Sequence, residues 1–334
     1  MTLAVSAITP VFNGAATLAR CLAPLLVMRR AGEIAEVIVV DDGSTDGSAA
    51  IAAELGARAL PSGGRLGPGG ARNVAAAAAA GDVLWFVDAD VVVHADAARV
   101  LAEAFRRTGA AAVFGTYDDA PPAANFLSQY KNLVHHHTHR EGGGAAETFW
   151  AGCGAIRKAA FVDAGGFDAV RYPAPSIEDI ELGARLRERG HAIWLAPELQ
   201  GTHLKAWHLA NLLHTEIFRR ALPWSRLIHS RPGRAGTLNV GPAERLRALL
   251  ALALAASVPL ALAGVLPAVV PPALFGAALL ANRKLLALFR RRRGVAFALA
   301  GVAFHQLYYV YASAAFAWSW LERRVAPPCN SSAR

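Results

Sequence analysis

Two long stretches without a charged residue near the C-terminus constrain this chain more than any other feature of its sequence. They run from Ala248 to Ala281 and from Val295 to Leu321, and a membrane-spanning helix needs about 20 apolar residues. Four prolines interrupt the first stretch, so we expect a hairpin of two short spans, residues 248–264 and 266–281, instead of one helix. Residues 295–321 form the third expected span. A buried helical hairpin of a soluble protein is the alternative.

Positive charge is concentrated in the same region. Residues 245–334 hold 11 of the 34 lysine and arginine residues and a single acid, Glu322, so the net charge of +9 belongs to this quarter of the chain. The first 244 residues are nearly neutral, which argues against a nucleic-acid-binding protein. The positive-inside rule assigns the arginines that flank the hairpin, including Arg290–Arg293, to the cytosol. We therefore expect a multi-pass protein of the inner (plasma) membrane whose preceding domain is cytoplasmic.

Short apolar runs alternate with alanine-rich helical stretches before the membrane region. The predicted strands are Ala4–Thr9, Val37–Val40, Val83–Val87 and Ala111–Phe114, and the predicted helices are 16–30, 46–55, 70–80 and 95–107. This alternation is typical of an α/β domain with a parallel, doubly wound sheet. We expect that domain over residues 1–203, an amphipathic interfacial segment over 204–244 and the transmembrane region over 245–334. A basic helix packed on the sheet is the alternative for the middle segment.

Polar or acidic residues follow three of the predicted strands. They are Thr9–Asn13, Asp41–Ser48 and Asp88–Asp90. Ligands of open α/β sheets bind outside the carboxyl ends of the strands, so these groups should share one crevice. Carboxylates two residues apart at a strand end can meet one hard cation, Mg²⁺ or Mn²⁺, which then bridges to phosphate oxygens. Solvated turn acids are the alternative interpretation.

A glycine-rich, basic stretch from Arg65 to Asn73 leads into a predicted helix. Its backbone amides could cradle a diphosphate, with Arg72 as the counter-charge. The stretch has neither the GK[ST] ending of a Walker A loop nor the GxGxxG fingerprint of a dinucleotide site. A flexible loop would explain the glycines equally well.

Taken in order, these motifs resemble the family-2 glycosyltransferases with the GT-A fold. The matching segments are Ile8–Asn13, Val39–Asp46, Gly69–Asn73, Phe86–Asp90, Gly165–Phe167 and Glu178–Leu182. The resemblance implies a Rossmann-like nucleotide-diphospho-sugar transferase fold with C-terminal transmembrane helices. It also implies an inverting enzyme that uses a nucleotide-sugar donor and a divalent cation, Mg²⁺ or Mn²⁺.

The resemblance assigns roles to single residues. The nucleotide sugar would be bound by Pro10, Asn13, Asp41, Asp42, Arg72, Asp88, Ala89 and Asp90. The metal would be held by Asp88, Asp90 and His203. The general base would be Asp179, with Glu178 or Glu181 as its neighbour. The acceptor side would include Trp150, Gly152, Cys153, Lys205 and Trp207.

Several of these residues also have a purely structural interpretation. Ser176, three residues before Asp179, resembles a capping box that would explain an acid at this position. Cys153 has no neighbouring base and is better explained as a small buried residue than as a nucleophile. His203 could be a satisfied structural histidine. The histidines at 135, 136, 137 and 139 resemble a metal cluster, but a surface or acceptor-side segment is favoured.

The membrane tail resembles that of family members that act on lipid-linked or membrane-delivered acceptors. Processive synthases of the family carry a QxxRW motif near this position. The present chain has Phe218–Trp224 instead, which favours the transfer of a single sugar. Two other classes stay open from the sequence, namely a nucleotidyltransferase of related fold and a non-catalytic membrane scaffold.

Overall fold

The computed structural model describes residues 3–231 and 241–325. These residues form two compact units divided after Trp207. Part of the predicted interfacial segment, 232–240, and the end of the predicted membrane region, 326–334, lie outside the described residues.

One nine-stranded sheet organises the first unit. Its strands are β1 Val5–Val11, β2 Glu36–Asp41, β3 Arg58–Pro61, β4 Val83–Val87, β5 Val91–Val93, β6 Ala112–Tyr117, β7 Gly144–Ala146, β8 Cys153–Arg157 and β9 Ile193–His203. Its helices are α1 Ala15–Arg30, α2 Ser48–Glu54, α3 Gly67–Ala78, α4 Ala97–Thr108, α5 Phe126–Glu141, α6 Lys158–Asp163 and α7 Glu178–Glu188. The strand order is β3-β2-β1-β4-β8-β6-β9-β5, and β7 pairs with β9.

The sheet is mixed. Strands β3, β2, β1 and β4 are parallel to one another, as the alternation of strands and helices predicts. Strand β8 then enters antiparallel between β4 and β6, and β9 runs parallel to β6. The expectation of a parallel sheet therefore holds for one half of it. The α/β architecture predicted from the sequence is confirmed.

Two apolar cores lie on the opposite faces of this sheet. Strand β4 supplies both, because its side chains alternate: Trp85 packs in one core, and Leu84 and Phe86 pack in the other. Helices α1, α2 and α4 cover the first face, and α3, α6 and α7 cover the second. A strand buried on both faces reads as an unbroken apolar run, which is how Val83–Val87 appears in the sequence.

The second unit is helical. It consists of α8 Leu209–His214, a π-helix Thr215–Ala221, α9 Leu222–Ser230, α10 Pro242–Leu262, α11 Val270–Ala281 and α12 Arg283–Val325. By length and composition alone, α10 and α12 are long and apolar enough to cross a membrane, which is weak support for membrane association. Helix α11 has 12 residues, or about 18 Å, against a hydrocarbon core of about 30 Å. The span expected at 266–281 thus contains a helix too short to cross alone, and the number of passes stays a prediction.

Helix α12 reverses direction at Gly294, whose φ of 84° and ψ of 177° are not helical. The ring of Phe289, before the bend, lies 2.7 Å from the position of a Cβ at Gly301, after it. Twelve residues of straight helix would separate these two residues by about 18 Å. Residues 283–293, which we call the arginine arm, therefore fold back against the longer part of α12.

Candidate active site

Asn13 joins the loops that follow β1 and β2. Its φ is 50°, its backbone N–H donates to Ser44 Oγ at 2.9 Å, and its Oδ1 accepts from the Thr45 N–H at 2.8 Å. The Ala15 N–H donates to Asp46 at 2.9 Å across the same gap. These bonds fix one wall of the crevice at the strand ends. Asn13 thus serves to hold two loops together, in addition to any contact with a ligand.

Asp41 and Asp42 are neighbours in the sequence but have different surroundings. Asp41 is half-buried at the end of β2, opposite Val11 of β1, and accepts a 3.1 Å bond from the Ser44 N–H. Asp42 is buried, and its two oxygens accept from the Leu66 and Gly67 N–H groups at 2.8 and 2.9 Å. Asp42 therefore positions the start of α3. Asp41 instead lies at the carboxyl end of β2, next to Val40, which pairs with Pro10 of β1.

The glycine-rich stretch is not an open loop, because α3 begins within it at Gly67. Gly67 has a φ of 74°, and a Cβ there would collide with the carbonyl of Pro173. The glycine is needed for this close approach and for the left-handed backbone. Asn73 further along α3 exchanges hydrogen bonds of 2.9 and 2.8 Å with the backbone of Phe167. The two glycine motifs predicted from the sequence thus pack against each other.

Arg72 projects from α3 into a buried ionic cluster. Its Nη2 donates to Asp88 Oδ1 at 2.6 Å, and its Nη1 donates to Glu178 Oε1 at 3.2 Å. Arg72 is 4% exposed, so it does not extend into solvent as a free counter-charge for a diphosphate. Instead it connects the end of β4 to the start of α7.

Asp88 and Asp90 follow β4, and each side chain stays about a third exposed, at 35% and 34%. The Nε2 of buried His203, the last residue of β9, lies 3.4 Å from Asp90 Oδ2. Although burial by itself would raise the pKa of Asp90, His203 and Lys205 hold that pKa below its usual value. Across residues 3–231 and 241–325, no group of three or more His, Cys, Asp or Glu side chains is arranged so that it could hold a metal ion. Asp90 and His203 are adjacent, whereas Asp88 faces Arg72.

Asp179 lies in the first turn of α7, half-buried in the crevice. Its Oδ2 accepts from the Ala151 N–H at 3.1 Å, and its Oδ1 accepts from the Ile180 N–H at 2.8 Å. Burial and the neighbouring Glu178 raise the pKa of Asp179 to about 7. A carboxylate with such a pKa can accept a proton near neutral pH.

The predicted capping box at this helix does not form. Ile177 occupies the N-cap position and no side chain caps the helix. Ser176 instead donates its backbone N–H to Glu178 at 2.9 Å. The acids at the start of α7 are thus not explained by capping.

Glu181 is directed away from Asp179. It forms an ion pair of 2.8 Å with Arg185, four residues later, and Arg185 also donates to the Gly166 carbonyl at 2.7 Å. Glu181 is buried, and its contacts hold α7 against the turn at Gly165–Phe167. The structure therefore brings Glu178, but not Glu181, beside the candidate base.

The residues predicted on the acceptor side have separate environments. Cys153 is fully buried in β8, where burial raises its pKa to about 12, as expected for an inert thiol. The Gly152 carbonyl accepts the Asp88 N–H at 3.1 Å. Trp207 is buried and its backbone N–H donates to Ser128 Oγ at 2.7 Å, while the exposed Lys205 lies over its ring at 4.2 Å.

Trp150 belongs to an aromatic cluster that sequence reasoning missed. Its ring contacts Tyr117, His135 and His139 with centroid distances of 4.8, 4.6 and 5.4 Å. Tyr117 also stacks on His203 at 4.2 Å with an interplanar angle of 5°. In the sequence, only the run of histidines hinted at this cluster. The rings that surround Trp150 and His203 come from β6, α5 and β9, which are far apart along the chain. The cluster extends from His203 to residues of the predicted acceptor side.

Comparison with known proteins gives one family match. The model of glycosyl transferase family 2 matches residues 6–164. A search of curated protein sequences returns no match.

Solved structures similar to this chain include the mannosyltransferase PcManGT from Pyrobaculum calidifontis in complex with GDP-Man and Mn²⁺. The two sequences are 21% identical, the match covers 95% of this chain and 88% of the other, and the TM-score is 0.58. TarS (residues 1–349) from S. aureus is 18% identical, with coverages of 93% and 91% and a TM-score of 0.48. Glucosyl-3-phosphoglycerate synthase from Mycobacterium tuberculosis, in complex with Mn²⁺ and UDP-glucose, is also 18% identical, with coverages of 68% and 78% and a TM-score of 0.47. The first of these likenesses shows a shared fold.

Proposed function

We propose that this chain, whose residues 6–164 match the model of glycosyl transferase family 2, moves one sugar from a nucleotide-sugar donor to a lipid-linked or membrane-associated acceptor. We assign inversion at the anomeric carbon, with Asp179 as the general base. The observation that carries this proposal is the raised pKa of Asp179, about 7, beside the Asp88–Arg72–Glu178 cluster. A single displacement needs one base that is partly ionised at working pH, opposite the leaving group.

The donor site would be built at the ends of β1, β2 and β4. Pro10 and Asp41 would contact the nucleobase, and Asp88 and Asp90 the ribose and diphosphate side. PcManGT binds GDP-Man and Mn²⁺ on the same fold, which supports a nucleotide sugar and a divalent cation here.

Asp90 and His203 would supply the first ligands of a divalent cation, and Asp88 would join them on turning away from Arg72. Two carboxylates that are about a third exposed, with an imidazole 3.4 Å from Asp90, form a mixed oxygen and nitrogen donor set. Such a set suits Mn²⁺, whereas Mg²⁺ prefers oxygen ligands. Asp88, Asp90 and His203 would hold the ion, and the donor's phosphate oxygens would complete its coordination. When bound, the ion would offset the charge that develops on the departing diphosphate.

The protein's own part in the reaction is positioning and proton transfer. Asp179 takes the proton of the acceptor hydroxyl while that oxygen forms its bond to the anomeric carbon. The bond from that carbon to the nucleoside diphosphate breaks on the opposite face, and the proton stays on Asp179. Two N–H groups, of Ala151 and Ile180, orient the carboxylate, and Arg72 pairs with Glu178 beside it.

Membrane anchoring is proposed from the second unit. Only 11% of the apolar stretch of α10 and 33% of the apolar stretch of α12 are buried within the chain. Exposed leucines such as Leu246, Leu249 and Leu262 would cost free energy in water and none in lipid. We place the catalytic domain on the cytoplasmic side of the inner membrane, where nucleotide sugars are available.

The test is donor turnover by the full chain in native membranes. UDP-, GDP- and dTDP-sugars would be supplied with Mn²⁺ or Mg²⁺, and released nucleotide and new glycolipid would be measured. The proposal requires one donor to give both products in equal amounts. Nucleotide release without a glycolipid would contradict the lipid-linked acceptor, and no release with any donor would contradict the enzymatic function.

A further inference from the structure

We propose that the arginine arm, residues 283–293, binds the phosphate of an anionic phospholipid headgroup. The inference rests on the membrane anchoring proposed above, but not on the sugar chemistry. It concerns a site in the second unit that the transfer reaction does not use.

The charge of the arm needs a counter-ion. Arg283, Lys284 and Arg290–Arg293 put six cations into 11 residues that contain no acid. Like charges three or four residues apart on a helix repel one another. The one acid of residues 245–325, Glu322, is paired with Arg226 at 2.8 Å. The arm therefore carries an excess of positive charge, and its own residues supply no acid to offset it.

The cations with no partner share one face. Leu285, Leu288 and Phe289 bury the other face of the arm, and Phe289 packs on Gly301. Arg283, Arg290 and Arg291 are exposed and, in the described part of the chain, make no hydrogen bond or ion pair. Their spacing of seven and eight residues, two helical turns, aligns the three guanidinium groups on the same side.

These three arginines form, together with Leu286 and Ala287, a shallow depression on one side of the arm that is open to solvent, which we call the cleft. Guanidinium groups donate paired hydrogen bonds to phosphate oxygens, so three of them suit a phosphodiester. The apolar floor beside them suits the glycerol and the first acyl carbons of a lipid. Lys284, Arg292 and Arg293 lie outside the cleft and have interactions within the chain. Charge, shape and the adjacent apolar helices thus favour a phospholipid.

The test is lipid binding to the purified full chain in neutral detergent, measured by native mass spectrometry. Phosphatidylglycerol and phosphatidylcholine would be titrated against the parent chain and two triple variants. The first variant carries Arg283→Gln, Arg290→Gln and Arg291→Gln. The second carries Lys284→Gln, Arg292→Gln and Arg293→Gln, which removes the same charge from the same helix but keeps the cleft. Circular dichroism would establish that both variants are folded.

The parent chain should bind phosphatidylglycerol in preference to phosphatidylcholine, and the second variant should retain that preference. The first variant should bind phosphatidylglycerol about 100-fold more weakly, since each arginine at an anionic surface contributes roughly five-fold. Equal losses of phosphatidylglycerol affinity in the two variants would contradict a specific site at the cleft and would show that only the overall charge of the arm matters. If glycerol phosphate displaced the lipid at equal concentration, the site would be one for a free phosphate, and the proposal of a phospholipid ligand would be wrong.

Sugar transfer measured on the same preparations separates this inference from the proposed function. Selective loss of lipid preference with no transfer by any variant would contradict the proposed function only. Transfer by the parent chain without lipid preference would contradict the arm's role only.

Discussion

The guanidinium of Arg72 donates a 2.6 Å hydrogen bond to the carboxylate of Asp88, although only 4% of the arginine is exposed to solvent. The same side chain reaches Glu178 at 3.2 Å. One buried cation thus joins the end of β4 to the start of α7. Removing it would leave two acids facing each other without compensation.

Replacement of Arg72 by alanine is therefore expected to destabilise the first unit. Breaking a buried ion pair by removing one partner costs roughly 3 to 5 kcal/mol, or about 10 °C in melting temperature. Thermal unfolding followed by fluorescence would measure the change. Arg99→Ala is the matched control, because its side chain is 72% exposed, and it should change the melting temperature little. Equal melting temperatures for the two variants would contradict the ionic role of Arg72.

Replacement of Asp179 by asparagine should lower the turnover number by about 10²- to 10⁴-fold, the usual contribution of a general base. Donor affinity should stay within about two-fold, because Asp179 would act on the acceptor. Turnover and donor titration on the same preparation test both expectations. Asp163→Asn, at an exposed ion pair with His191, makes the same chemical change away from the crevice and should leave turnover unchanged. Full turnover by the Asp179 variant would remove that residue from the role.

The pH dependence of transfer should follow the ionisation of Asp179. As the proposed base, Asp179 would work only when deprotonated, and burial together with the neighbouring Glu178 raises its pKa to about 7. The value of kcat/KM should therefore be low in acid, rise as the pH passes through about 7, and level off above it. A profile that is flat from pH 5.5 to 8.5 would contradict this assignment.

The same raised pKa makes a prediction about stability. The protonated form of Asp179 is favoured in the folded state relative to an ordinary aspartate, so its contribution to stability is present in acid and is lost as the pH rises toward 7. Asp179→Asn removes this loss. At pH 8 the asparagine variant should thus unfold at a temperature no lower than the parent chain. A clear decrease would show that the charged carboxylate is stabilising there.

The metal assignment predicts a specific loss at Asp90 and His203. Asp90→Asn and His203→Gln should each weaken Mn²⁺ binding, by about ten-fold or more, since each removes one of a few ligands. Electron paramagnetic resonance of free Mn²⁺ in the presence of nucleoside diphosphate would measure it without requiring turnover. His94→Gln is the control, because His94 contacts Asp118 at 3.2 Å instead. Unchanged Mn²⁺ affinity in both ligand variants would exclude these residues as the site.

The sequence predicted the first half of the sheet well. Strands β1, β2 and β4 begin and end within about two residues of the predicted positions, because apolar runs of four to seven residues alternate with helices there. The acids that follow these strands indicated the crevice, because the carboxyl ends of parallel strands lie at the same edge of the sheet. Strand β8 had no such signal, since Cys153–Arg157 is short and enters antiparallel from a distant part of the chain.

The roles of individual acids were harder to predict. Asp41 and Asp42 look alike in the sequence, and only the amides of Leu66 and Gly67, more than 20 residues away, distinguish them. Glu181 did carry a usable signal, because Arg185 stands four residues later on the same helix face. The contacts of Trp150 with Tyr117 and His135 depend on three separate elements and could not be derived from spacing.

Two consecutive residues, Ala151 and Gly152, contact the two chemically opposed parts of the crevice. The Ala151 N–H holds Asp179, and the Gly152 carbonyl holds the backbone of Asp88. Consecutive Cα atoms are fixed at about 3.8 Å by covalent geometry. The side chain of Asp179 and the backbone of Asp88 are thus tied by two hydrogen bonds to neighbouring residues of one short backbone segment. Neither position has room for a larger side chain, because Ala151 is fully buried and a Cβ at Gly152 would lie 2.4 Å from the ring of Trp150.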